Sequence, residues 1–516
     1  MSFDVVISGG RVLDGTGAPP YRADVAVSGD RIAAVGRLSS AEAAAVIDAT
    51  GRFVAPGFVD CHAHGEAAVF DPAVQRAALR QGVTTFVLGQ DGLSFAPGSA
   101  GTVAYASRYF AAVNGPLPPR EGGAPPEGPL SVGELLASYD RAVALNTAYL
   151  LPHGTIRYDV MGPAAGPASS GDLAAMLRHV ERGLAEGAAG LSSGLEYLPG
   201  RYADAAELAA LCRPLGGLPY VTHMRAYGAG AGVGMAEVVD IAARSGAAVH
   251  VSHLHGPADV LLPLVGDALA RDVDLSFDTY PYLRGNTILA MVVLPPSVPA
   301  ADTGRALELI AAADLDEWWG ALGDTWPRLT VSHAPGMEWT EGMTVPAAAG
   351  RAGVTPAELC RRLLVETRLE AGVVSARPDE GPAGEESVRR MLRHPSHTGG
   401  SDGIYVGGHP HPRGFGAFAR FLGRHVRELG DWTWEQAVVH LASHPARRFG
   451  FGDRGLVRAG CAADLVVIDP ATVGDRATYA EPRALATGVD DVLVSGVPVL
   501  AGGELTKATP GRALRP

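Results

Sequence analysis

Apolar and polar residues alternate at both ends of the chain, and a different rhythm fills the middle. Residues 3–8, 24–27 and 31–35 alternate with period two and are joined by Gly-rich turns, so they read as short strands. Residues 463–468 (ADLVVI) and 491–495 (DVLVS) read the same way, with a turn at 496–498. Two β-rich ends around a different centre predict one small β-sandwich domain built from both termini, residues 1–56 and 448–516.

Between them, short apolar runs alternate with Ala- and Leu-rich helical stretches, the pattern of a parallel α/β fold. The expected strands are 58–62, 84–90, 147–153, 188–192, 219–223, 248–253, 274–280 and 397–402. Helices are expected between most pairs, for example over 171–186 and 235–245. Eight βα units predict a (β/α)₈ barrel of the TIM type over residues 57–447. The seventh and eighth strands stand too far apart for one helix, so residues 285–395 are expected to hold an insertion that forms a lid or a pocket wall. The Pro- and Gly-rich stretch 114–130 reads as a surface loop.

Composition narrows the class. Of 516 residues, 47% are hydrophobic and 19% charged, which argues against disorder. A formal net charge of −13 disfavours nucleic acid, whose phosphates need a clustered positive field. The four cysteines are scattered with no CxxC spacing, so a reducing cytoplasm is the simpler expectation. The N-terminus lacks a basic region and an unbroken apolar core, and no stretch reads as a membrane span.

The chemistry begins at His62-Ala63-His64. Residues i and i+2 of a strand point the same way, so two imidazoles at a strand mouth can grip one metal ion, while Cys61 points away into packing. His223, His253 and Asp402 end other expected strands, the face where barrel enzymes place their chemistry. Imidazole and carboxylate donors without a thiolate cluster favour zinc, with manganese, iron or cobalt also suited. A metal so held activates water, and Asp402 is placed to move the proton to a leaving group, as amide hydrolysis requires.

With these residues in this strand order, the chain resembles the amidohydrolase superfamily, and within it the D-aminoacylases (N-acyl-D-amino-acid deacylases). The resemblance rests on PGFVDCHAHG, QGVTTFVLGQDGLSFAP, HGTIR, GLSSGLEYLPGRYAD, VTHMR, VSHLH, DTYPY, SDG, HPHPR and SHPARRFGFGDRGLVRAGCAADLVVIDP, and is weakest between about 300 and 390. It implies a barrel with a small β domain, one or two zinc ions, and hydrolysis of a small N-acyl-D-amino acid. Carried onto this chain, it implies His62, His64, His223 and His253 as ligands and Asp402 as the catalytic aspartate. It further implies Arg413 as the carboxylate-binding arginine, helped by Tyr282 or Tyr280.

Two positions depart from the family pattern. Asp91, in Gly89-Gln90-Asp91-Gly92, stands where the family usually has a metal-binding cysteine, and His255 stands where it has a lysine. Many superfamily members bridge two metals with a carboxylated lysine, but the only lysine here is Lys507, near the C-terminus. Asp91 is therefore expected to bridge or to supply a further ligand. His255, with an ordinary pKa of about 6.5, offers a hydrogen bond rather than a fixed charge. Asp60 is expected to support a ligand histidine. His153, Tyr197 and Arg284 divide between the site and plain packing or solvation, and Glu196 lies in the same loop as Tyr197. His179, His394, His425 and His440 read as structural. A cyclic amidase of the hydantoinase or dihydroorotase type is disfavoured by the missing lysine, and a non-catalytic barrel by the intact ligand set.

Overall fold

The computed structural model describes residues 3–38, 43–117, 128–312 and 315–516. Eight parallel strands form the central barrel: Phe58–Asp60, Val83–Leu88, Asn146–Tyr149 continued by Leu151–Pro152, Leu191–Gly194, Tyr220–His223, Val249–Val251, Leu275–Asp278 and His397–Thr398. The eighth strand returns to the first. Cys61 N–H donates to Gly399 O (3.2 Å), and Gly403–Ile404 pairs in parallel with Ala63–His64. The lumen is packed rather than hollow, with Val59, Cys61, Val87, Ala148, Leu150 and Val221 sealed from below by Phe449 and Phe451.

All eight expected strands form, but their ends differ. The third was expected to run through His153, yet His153 opens the helix His153–Met161, so its ring leaves the barrel mouth. The helix expected over 171–186 runs Ser170–Ala185. Ser169 caps it, accepting from Asp172 N while the Asp172 side chain reaches back to Ser169.

The chain ends build two sheets. One orders as Arg31–Gly36, Asp24–Ser28, Phe3–Ser8 and Ala43–Asp48. The other runs from Glu504–Leu505 through Val497–Ala501, Val489–Val494, Leu465–Ile468, Phe53–Pro56 and Arg11–Val12 to Tyr21–Arg22. Val5, Ile7, Val25, Val27, Val54, Leu465 and Val467 fill the space between them. The final residues leave these sheets: Arg141 N–H donates to Gly511 O, Thr147 N–H to Arg512 O, and Leu514 joins the lumen cluster.

The long insertion contains an antiparallel sheet of Arg284–Ile288, Gly372–Ala376 and Leu329–His333, backed by helices with their own apolar core. It stands as a wall at the C-terminal mouth of the barrel. The stretch expected as a surface loop from 114 to 130 starts differently. Asn114 closes the short helix Ala111–Asn114 and is buried, and Leu130 is buried against Gly98. Residues 118–127 lie outside the described residues. Among the described residues no helix is long and apolar enough to cross a membrane.

A buried charge group fixes the outer layer. Glu207 accepts from His153 Nε2 (2.8 Å) and from the Arg157 guanidinium, and all three are buried. Burial pushes the Glu207 carboxyl up, but His153 and Arg157 outweigh it and hold it at about 2. A depressed carboxylate stabilises the fold above its ordinary range and loses that contribution as pH falls through the folded value. Glu207→Gln strands Arg157 and should cost about 3–5 kcal/mol at neutral pH. Thermal melting from pH 7 down to about 2 checks it: the gap to the parent protein should be wide at pH 7 and shrink as the pH falls toward 2.

Candidate metal centre

Six polar side chains meet at the barrel mouth, each delivered by a different turn or strand end. His62 follows the first strand and His64 lies in the two-residue strand after it. His223 ends the fifth strand, His253 follows the sixth, Asp402 follows the eighth, and Asp91 sits in the turn after the second. Asp91, His253 and Asp402 have positive φ (55°, 34° and 50°), a conformation that costs energy for residues with a Cβ. The Asp91 turn is possible because glycines flank it. A Cβ on Gly89 would lie 2.2 Å from Leu150 O, and one on Gly92 would lie 2.5 Å from Gly194 N.

Asp91 is the hub. Its Oδ1 lies 3.6 Å from both His62 Nε2 and His253 Nε2, and its Oδ2 lies 3.5 Å from His223 Nδ1 and 3.7 Å from His64 Nε2. Asp402 Oδ1 lies 3.4 Å from His64 Nε2 and 3.6 Å from His62 Nε2. Most of these separations are too long for good hydrogen bonds. They match the edges of a coordination polyhedron: donors bound to one tetrahedral ion at about 2.0–2.2 Å stand about 3.3–3.6 Å apart. His62 Nε2, His223 Nδ1 and Asp91 Oδ1, all at the centre of this cluster, are buried and have no hydrogen-bond partner among the described residues. Unpartnered buried polar atoms are costly, so a cluster of them facing one point suits a bound cation.

Three imidazoles are oriented from behind. His62 Nδ1 contacts Asp278 Oδ2 (3.4 Å), His64 Nδ1 contacts Asn114 Oδ1 (3.0 Å), and His223 Nε2 contacts Glu196 Oε2 (2.8 Å). An acceptor on one ring nitrogen leaves the lone pair of the other aimed at the centre. Asp278 does more, accepting His253 N–H on Oδ1 (2.9 Å) and His250 Nε2 on Oδ2 (3.1 Å). The field of the cluster is negative. Burial alone would lower the His62 pKa, yet Asp278, Asp402 and Asp91 raise it to about 9. Burial opposes a charged His223 in the same way, and Asp91 and Glu196 raise it to about 10. The residues present fit a divalent metal such as zinc.

The remaining expected residues divide. Arg413 is fully buried at the start of helix Arg413–Arg420. Its Nη2 bonds Asp402 Oδ2 (2.8 Å), its guanidinium lies 4.5 Å over the Tyr280 ring, and its Nε and Nη1 have no partner among the described residues. Burial favours a neutral Asp402, but Arg413 and then His62 hold its pKa below the ordinary value. Tyr280 lines the cavity above the cluster, whose volume is about 610 Å³. Tyr282 does not; it faces a separate cavity of about 230 Å³, beside Arg420. Alternation explains the correction, since residues two apart share a direction only on a regular strand, and the seventh strand ends at Asp278. His255 lines the main cavity but is held down to about 3 by burial, with His253 and Arg377 adding to it, and it stacks on Tyr227 (4.6 Å). Tyr197 also lines the cavity, its hydroxyl on Thr287 Oγ1 (2.8 Å). Arg284 is engaged elsewhere, 2.6 Å from Glu380 and over the Tyr479 ring.

Asp60, expected behind a histidine ring, instead accepts the His62 backbone N–H (3.2 Å) together with Ser401 N–H (2.8 Å) and the Ser401 hydroxyl. It ties the ends of the first and eighth strands. Cys61 does point away from its neighbouring histidines, toward Thr398 Oγ1 (3.2 Å). Sequence reasoning missed Asp278 and Asn114. Asp278 opens DTYPY at a strand end, so the rule that singled out Asp402 also reaches it; Asn114 carries no such signal.

Residues 45–276 and 290–500 match the profile described as the amidohydrolase family. An N-acyl-D-glutamate deacylase of Alcaligenes xylosoxydans xylosoxydans is 35% identical over 99% of this chain and 96% of its own. A D-aminoacylase of the same organism is 34% identical over 99% and 97%. The crystal structure of N-acyl-D-glutamate deacylase from Bordetella bronchiseptica, complexed with zinc and a phosphonate mimic of the tetrahedral intermediate, superposes with a TM-score of 0.82 at 32% identity, covering 100% of both chains.

Because Asp278 orients His62 and pins His253, Asp278→Asn should weaken zinc binding by about 10–100-fold. Competition against a chromophoric chelator reads this directly. An affinity equal to that of the parent protein would remove Asp278 from the ligand-orienting role.

Proposed function

The chain belongs to the amidohydrolase family, and from that premise we infer that it is a metal-dependent hydrolase of linear amides, cleaving N-acyl-D-amino acids to a carboxylate and a free D-amino acid. The observation that carries this reading is the ring of His62, His64, His223, His253, Asp91 and Asp402, with donors spaced as around a metal and beside them a guanidinium whose Nε and Nη1 have no partner among the described residues. We assign the four histidines, Asp91 and Asp402 as the set that would hold the metal, with Asp91 lying between the two pairs of imidazoles. Bound zinc supplies Lewis acidity, activating water and polarising the scissile carbonyl.

The protein's own groups do the rest. Arg413 offers Nε and Nη1 to the substrate α-carboxylate while Nη2 steadies Asp402. Tyr280 holds the guanidinium plane from one side. Asp402 rests ionised and accepts a proton from the attacking water as the new C–O bond forms. It then returns that proton to the nitrogen as the C–N bond breaks, so the amine leaves neutral. Fixing the carboxylate on Arg413 and the acyl carbonyl near Asp402 leaves one hand of the α-carbon able to send its side chain into the open cavity. The cyclic-amidase alternative lacks a lysine to carboxylate, since Lys507 is exposed at the chain end. The four cysteines are free and buried, which suits the cytoplasm as the place of work.

The zinc-loaded protein should hydrolyse N-acetyl-D-amino acids and leave the L-enantiomers, and chelation should abolish the activity. Asp402→Asn should lower kcat by about 10²–10⁴-fold. Metal analysis of the variant, paired with a D/L panel, decides the matter. Equal rates on both enantiomers, no turnover of either, or a metal-loaded Asp402→Asn protein of undiminished kcat would overturn the assignment.

A further inference from the structure

Resting on that reading, the cavity also speaks to the side chain of the substrate. Besides Arg413, the only arginine or lysine lining it among the described residues is Arg377, just after the insertion's strand Gly372–Ala376. Arg377 is not available as a free cation. Its Nε lies 2.9 Å from Asp379 Oδ1 and its Nη2 lies 2.6 Å from Asp379 Oδ2, a two-pronged pair in which the Arg377 side chain is 9% exposed. Pro378 between them limits the turn that closes the fork. Arg377 N–H donates to Leu283 O, anchoring the pair to the barrel side of the wall.

Away from the histidine cluster and Arg413, the other ionisable side chains near this space are acidic. Glu196, more than a third exposed, lines the cavity while engaging His223. Val113, Tyr227, Met291 and Ile404 make much of the remaining wall apolar. One substrate carboxylate has Arg413. A second would have to shed its water beside Asp379 and Glu196, with Arg377 already neutralised, and such desolvation is costly without a partner.

We propose that Asp379 is a specificity-determining residue: by holding Arg377 it makes the cavity select N-acyl-D-amino acids with uncharged side chains against those with a side-chain carboxylate. The preference is built from a pair of opposite charges, so removing the acid should release the base. Asp379→Asn keeps the shape and frees Arg377 to meet a second carboxylate.

The test measures kcat/KM for N-acetyl-D-leucine and N-acetyl-D-glutamate with the zinc-loaded parent, Asp379→Asn, and the Arg377→Ala/Asp379→Asn pair. The parent should favour leucine by about 100-fold, consistent with the cost of an unpaired buried charge. Asp379→Asn should move the ratio toward glutamate by about tenfold, and the double variant should take that gain away. Loss of fold would lower both rates together and leave the ratio in place, so the ratio separates specificity from stability. A parent that turns over the glutamate derivative as well as the leucine one, or an unmoved ratio in an Asp379→Asn protein that keeps the parent's melting temperature and leucine rate, overturns the proposal. If neither derivative is hydrolysed, the deacylase reading falls, and calorimetric binding of D-leucine against D-glutamate then judges the proposal by the same ratios.

Discussion

A buried carboxylate surrounded by four imidazoles is the constraint from which the rest of this structure follows. Asp91 brings a negative charge to the centre of the barrel mouth and faces His62 and His253 with one oxygen, His64 and His223 with the other. The arrangement needs positive charge beside it, from a bound cation or from protonated imidazoles, because isolated buried charges are among the most expensive features a fold can carry. Backbone strain collects at the same place, in Asp91, His253 and Asp402, as expected where the surroundings over-determine geometry for function. Glycines 89 and 92 let the Asp91 turn press against neighbouring backbone where any side chain would collide.

Around this hub, acceptors decide how three of the four imidazoles stand. Asp278, Asn114 and Glu196 come from the seventh strand, a short helix and the loop after the fourth strand, and each takes the outward nitrogen of a different imidazole. Asp278 also binds the backbone of His253, so one carboxylate governs two of the four positions. Arg413 relates to Asp402 as these acceptors relate to the histidines, fixing one oxygen while the other faces the cluster.

The barrel and the cluster at its mouth were readable from sequence because both follow short-range rules. Short apolar runs set between helical stretches located all eight strands, and strand-end placement singled out His62, His64, His223, His253 and Asp402, which the fold brings together. Asp91 was legible for another reason: the chain has no lysine to carboxylate, and an aspartate stands in the family's cysteine position. What stayed hidden depends on pairings between distant segments. Nothing near Asn114 in the chain announces His64, 50 residues away, as its partner, and a Pro- and Gly-rich neighbourhood pointed instead to solvent. The choice between Tyr280 and Tyr282 turned on where the seventh strand stops, and strand ends are the least predictable part of a strand. The burial of Arg377 against Asp379 needed the insertion's sheet to be placed, and that region carries the weakest pattern in the chain.

The seam between the first and eighth strands gives the site a further property. Asp60 grips Ser401, Asp402 N–H donates to His62 O, and Gly403–Ile404 lies along Ala63–His64, so the closure of the barrel and the assembly of the cluster occur at one spot. The joined residues are 341 positions apart in the chain for Asp60 and Ser401. No nascent fragment that ends before the eighth strand can present the full donor set. An ion held by the proposed donors would act as a rivet, binding the closed ring and not the open chain, and so would shift the balance toward closure by mass action. Loading would thereby mark completion, since the six proposed donors come together only once the barrel has closed.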